Sequence, residues 1–149
     1  MGEKEYKTKL RKILEENSET AIGKLELVFQ ELPQKSKRAD LIIFPDQDGE
    51  GTFTVRVSIS GPDLFVLNKA IEANACLIEV QHTPNGLEPN VPLMDPFNCS
   101  FEVNDALADV VGSWLTSIWI QANIGPLLIP ASVFTYEGWG KSLPITLNE

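Results

Sequence analysis

Residues 52–60, TFTVRVSIS, alternate polar and apolar without a slip. Successive side chains of a strand leave opposite faces, so Phe53, Val55, Val57 and Ile59 point one way. Thr52, Thr54, Arg56 and Ser58 point the other. A strand of this pattern is covered on one face only. An amphipathic layer must therefore close over the apolar face, which restricts the chain to sheet-on-sheet or helix-on-sheet architectures.

Helices supply that layer. Tyr6, Leu10, Ile13, Leu14, Ala21, Leu25, Val28 and Leu32 recur at helical spacing across residues 1–33, with lysine and glutamate on the opposite side. This segment is one rod or breaks near Asn17-Ser18, where Ser18 can cap a second helix and Gly23 weakens its interior. Pro33 ends it. Pro62 opens a short helix that buries Leu64, Leu67 and Ile71. Asn104 caps the strongest helix, in which Leu107, Val110, Val111, Trp114, Leu115, Ile118, Trp119 and Ala122 keep the period until Gly125-Pro126. The helix around Trp114 is expected at the centre of the core.

Further strands are read at DLIIF (40–44), CLIEVQH (76–82), CSFEV (99–103), about 127–136 and 143–147. Residues 83–98 carry Pro84, Pro89, Pro92 and Pro96 and read as a long connection, neither helix nor strand. The order is α-β-β-α-β-β-α-β-β. Short turns between successive strands favour antiparallel pairing. The expectation is an α+β domain: a mostly antiparallel sheet of five or six strands with three helices on one face.

The 149 residues suit one domain spanning 1–149, with no internal repeat. Such a chain buries roughly two-thirds of its unfolded surface, enough to hold a core without disulfides. At 43% apolar and 22% charged residues it is not a disordered composition. No apolar run approaches the ~20 residues that span a bilayer, so no membrane partner is expected. The charged opening MGEKEY leads into no apolar signal region, which points to a cytoplasmic protein with Cys76 and Cys99 as reduced thiols.

Charge is uneven. Residues 1–41 hold nine bases and eight acids, whereas residues 42–149 hold three bases and thirteen acids. A body this acidic makes nucleic acid a poor partner and a basic protein an electrostatically favourable one.

The stretch PDQDGEGTF (45–53) begins as a calcium loop does, with Asp46, Asp48 and Glu50 at alternate positions ahead of Gly51. The pattern then fails. Val57 stands at the twelfth position, where a bidentate glutamate is needed, and the flanks read as strands rather than helices. A hairpin accounts for the stretch better, with Asp48-Gly49 and Glu50-Gly51 supplying residues that tolerate positive φ at a tight turn or bulge and the acids at a solvated tip.

Other chemistry is sparse. His82 is the one histidine, and on an extended strand it lies roughly 20 Å from Cys76. No nucleophile elbow, phosphate loop or paired metal-ligand motif is present. Asp46, Asp48, Glu79, Glu102 and Asp109 could serve two-carboxylate hydrolysis, but nothing in the sequence pairs them across a cleft. No catalytic residue, metal or cofactor is assigned.

The expected function is a non-catalytic protein-binding module, an inhibitor, immunity-like protein or adaptor for a basic partner. Asp46, Asp48 and Glu50 would steer the encounter. Trp139, set between two glycines, either packs on the sheet or stands out as an anchor, together with Leu93, Met94 and Phe97 of the proline loop. That loop equally suits a cover over one end of the core. An alternative is a small enzyme or ligand-binding domain with a pocket between the sheet and residues 83–98, built on His82 or a buried carboxylate. A third reading is a homodimer through the apolar helix 104–123.

Overall fold

A computed structural model describes the whole chain, residues 1–149. The elements run α1 (Glu3–Glu16), α2 (Ser18–Gln30), β1 (Arg38–Pro45), β2 (Phe53–Ser60), α3 (Leu64–Ile71) and β3 (Cys76–Glu79). They continue with β4 (Gln81–Thr83), β5 (Gly86–Glu88), α4 (Val103–Gln121), β6 (Ala131–Thr135) and β7 (Ile145–Asn148). Two 3-10 turns, Pro96–Asn98 and Tyr136–Gly138, lie in the loops. The fold is α+β, as expected, but its helix count and sheet differ from the expectation.

Five strands form the main sheet in the order β3-β2-β1-β6-β7, and β4 and β5 form a separate two-stranded ribbon. The sheet is mixed. β1 runs antiparallel to β2, with Arg38 opposite Ser60 and Pro45 opposite Phe53. On its other side β1 runs parallel to β6, with Ala39 opposite Ala131 and Ile43 opposite Thr135. Parallel neighbours need a crossover, and α4 supplies it. Both edge strands, β3 and β7, are four residues long.

The alternation in β2 resolves as expected. Phe53, Val55, Val57 and Ile59 are buried, facing the same way as Ala39, Leu41 and Ile43 of β1 and Val133 of β6. α1, α2 and α4 pack over this face. Trp114 is fully buried and donates its indole N–H to Ser18 Oγ at 2.8 Å. Each side chain buried this way stabilises the fold by about 1.5–3 kcal/mol.

The N-terminal segment is two helices, giving four in all. Asn17 separates them and turns its side-chain amide back onto the Ile13 carbonyl at 2.8 Å, a local bond that competes with the helix. Ser18 does not cap α2. It donates to the Leu14 carbonyl at 3.2 Å and receives the Trp114 indole. The short α3 lies along β2, where Asn68 accepts from Ile59 N–H at 2.8 Å and donates to its carbonyl at 2.9 Å, and its Leu67 and Ile71 enter the same core.

Residues 99–103 are not a strand. Phe101 packs on Tyr6, ring centres 5.5 Å apart, instead of joining the sheet, and α4 starts at Val103. Asn104 therefore lies inside the first turn rather than capping it. The loop 83–98 is not featureless either. Pro84-Asn85 turns the β4–β5 hairpin, Gly86 opens β5 at φ 111°, and Leu87 and Val91 are buried.

No helix layer crosses the second face of the sheet. Ile42, Phe44 and Phe134 stand half-buried there, Arg56 is exposed, and α3 borders the face along β2.

Candidate functional site

The acidic stretch is the β1–β2 hairpin loop. Asp46 N–H donates to the Thr52 carbonyl at 3.0 Å, and Gly49 N–H to the Asp46 carbonyl at 3.3 Å. Gly49 and Gly51 hold φ of 73° and 102°, values that glycine alone adopts freely. The Asp48 side chain accepts from Glu50 N–H at 3.2 Å, and the Asp46 carboxylate accepts from the Thr52 hydroxyl. Val57, the twelfth position of a calcium loop, is 3% exposed and belongs to the core.

Two other loops are tied to this one. Met94 N–H donates to the Glu50 carbonyl at 2.8 Å, and a Cβ at Gly51 would meet the Pro92 carbonyl oxygen at 2.8 Å. The proline loop thus sits directly on the hairpin. From the tail, Glu137 accepts from Gln47 Nε2 at 3.2 Å, and from α4, Asn104 Nδ2 donates to the Asp46 carbonyl at 3.0 Å. Residues 45–53, 88–102 and 136–140 together carry seven acids, with Lys141 directly after them and Lys9 and Lys12 of α1 beside residues 90–93. One end of the sheet is therefore an acidic pole assembled from three loops far apart in sequence.

The floor of the pole is buried. Tyr6 is fully buried beneath Gly51 with no partner for its hydroxyl, and burial, then the nearby Cys99, pushes its ionisation far above the ordinary tyrosine range. Asn104 Oδ1 is likewise buried and unpartnered.

The predicted site residues divide. Asp46 and Asp48 are exposed and Glu50 is half-buried. Phe97 protrudes at 95% exposure, its 3-10 turn held by Asp95, which accepts from Phe97 N–H at 3.0 Å and from Asn98 Nδ2 at 3.1 Å. Met94 is half-buried against the core. Leu93 is exposed but turns toward α1, where it lines a groove with Ile13, Gly86 and Val91. That groove opens against α1, not between the sheet and the loop. Trp139 is half-buried; its carbonyl accepts from the Thr135 hydroxyl, and the following Gly140 N–H donates to Asp105 at 2.9 Å. His82 is exposed on β4, opposite Leu87.

A family model described as a family of unknown function (DUF6389) matches residues 1–149. The chain belongs to DUF6389. No curated protein matches it, and no solved structure does.

Sequence reasoning missed the aromatic flank of the pole in this DUF6389 chain. Tyr136, 59% exposed, stacks at a tilt on Phe44, ring centres 5.6 Å apart, and leads from the acidic loops onto the second face of the sheet. Its signal was the run Leu41–Phe44, apolar at four successive positions, which exceeds what a strand covered on one face requires.

Proposed function

We propose that the chain is a non-catalytic protein-binding module, inhibitor-like or adaptor-like, that takes a basic partner on its acidic pole. The carrying observation is the convergence of three loops that carry seven acids, pinned together by the Glu50–Met94 backbone bond and the Asn104–Asp46 bond, with the α1 lysines at their margin. Clustered charge of one sign accelerates encounter with the opposite sign. Exposed Phe97 and Tyr136 at its margin supply the aromatic contact that a charged patch alone lacks. Because the loops are already tied, little ordering entropy is lost on docking.

The test is affinity capture from source-cell lysate, washed at low and then high salt, followed by stopped-flow association with the captured species. A basic protein retained at low salt and released at high salt is expected. Asp46→Asn, Asp48→Asn and Glu50→Gln combined should slow association about tenfold and flatten its salt dependence. An association rate and salt slope unchanged in that variant would remove the steering role.

A further inference from the structure

We propose that a second site, the groove between α3 and the uncovered face of the sheet, binds a small organic anion with a flat apolar body. The groove measures about 360 Å³, within the lower range of small-molecule pockets. Ile42 and Phe44 of β1 form its floor, and Phe65 of α3, 78% exposed, forms its wall. Asn68 stands between them but is already committed to the Ile59 backbone and the Leu64 carbonyl.

Charge selects the ligand. Residues 42–149 contain three bases, and two of them, Arg56 and Lys69, line this groove. Lys69 is taken by Glu72 at 2.8 Å. Arg56 forms no ion pair: Glu72 lies near enough to feel its charge but is engaged by Lys69. Arg56 pairs across the sheet with Ile42, so its guanidinium rises directly beside the apolar floor. A planar guanidinium with five donors matches a carboxylate or sulfonate, and an aromatic floor and wall match a flat ring system. An acidic protein fits less well. The groove offers one free cation in a chain of net charge −9, which repels an extended acidic surface while still accepting a single anionic group.

This site meets the margin of the acidic pole through the Phe44–Tyr136 contact but includes none of Asp46, Asp48 and Glu50, and the experiment separates the two. The probes are 8-anilinonaphthalene-1-sulfonate and its uncharged counterpart N-phenyl-1-naphthylamine, titrated by fluorescence against the full folded chain. The sulfonate is expected to bind one equivalent, more tightly than the neutral amine. Arg56→Gln should weaken the sulfonate about tenfold, the loss of one charged hydrogen-bonding partner, and the neutral amine less than twofold. Phe65→Ser, at an exposed helix position, should weaken both severalfold without altering the far-ultraviolet dichroism. The combined Asp46, Asp48 and Glu50 variant should leave sulfonate binding unchanged. Sulfonate affinity indifferent to Arg56→Gln or to Phe65→Ser would overturn the proposal, as would a neutral amine that binds as tightly as the sulfonate.

Discussion

β1 presents the same kinds of side chain to two different fates. Leu41 and Ile43 point toward the helices and are fully buried, whereas Ile42 and Phe44, one step along, point away and are half-buried. Nothing intrinsic to isoleucine distinguishes positions 42 and 43. The difference is the arrival of α4 over one face and of no comparable layer over the other. An apolar side chain is stabilising in proportion to the area a partner removes from water, so one strand holds both a core and a reserve of unsatisfied surface.

The largest test of that contrast is the pair Ile43→Ala and Ile42→Ala. The first should cost about 2–5 kcal/mol through lost burial and a residual cavity, the second under about 1.5 kcal/mol. Urea unfolding with unchanged m-values would measure both. Equal costs would mean that the second face is as tightly covered as the first.

Next in size is Arg38→Ala. The second face holds one buried carboxylate, Asp40, which takes both Arg38 Nε contacts at 2.9 Å and the Ser132 N–H at 3.1 Å. Arg38 also donates to Ser132 Oγ at 2.6 Å. Removing the arginine leaves Asp40 short of its counter-charge and should cost about 1–3 kcal/mol, which Asp40→Asn in the same background should partly restore. A neutral Arg38→Ala would place this trio among ordinary surface pairs.

A smaller effect concerns the strap over the helical side. Asp109 Oδ1 receives Lys141 N–H at 2.8 Å, Ser142 N–H at 2.9 Å and the Ser142 hydroxyl at 2.8 Å, holding the tail to α4. Burial pushes this carboxyl up, but the hydrogen bonds from Ser142 and Lys141, with the charge of Lys7, outweigh it and hold the group below its ordinary value of 3.8. A depressed carboxyl contributes stability that is present above its unfolded pKa and is lost as pH falls through its native one. Asp109→Asn should therefore lower the melting temperature at pH 7, and the gap between variant and parent should narrow once the pH drops well below 3.8. A constant gap would show that the strap holds without the charge. The smallest expected change is Phe44→Ser, whose mutant should remain folded and lose stability mainly through the ring contact with Tyr136.

The covered face was legible in advance. The alternation of Phe53, Val55, Val57 and Ile59 and the stripe around Trp114 dictate a sheet under a helix, and both elements occupy those places. The parallel pairing of β1 with β6 was not legible, because side-chain patterning states which way a residue points and says nothing of which strand arrives beside it. The run at 99–103 misled for a related reason: it is extended enough to pass for a strand, but Phe101 found Tyr6 instead of a sheet edge.

Asp46, Asp48, Glu50 and Phe97 were recognisable singly. Their assembly was not, since the tie between their loops is a bond from Met94 N–H to the Glu50 carbonyl, groups that every residue of either loop also carries. Arg56 and Phe65 carry no signal of their own in the sequence, because the first has the pattern of a solvated strand position and the second falls off the buried stripe of its helix.

The four-residue edge strands have a consequence for life at high concentration. A sheet with an uncovered apolar face is a hazard when its rims are long enough to template an incoming strand. Here β3 and β7 end after four residues, and neither rim offers a continuous ladder for polymerisation. Brevity at the margins allows the chain to keep greasy ground open for a ligand without inviting its neighbours to build a fibril upon it.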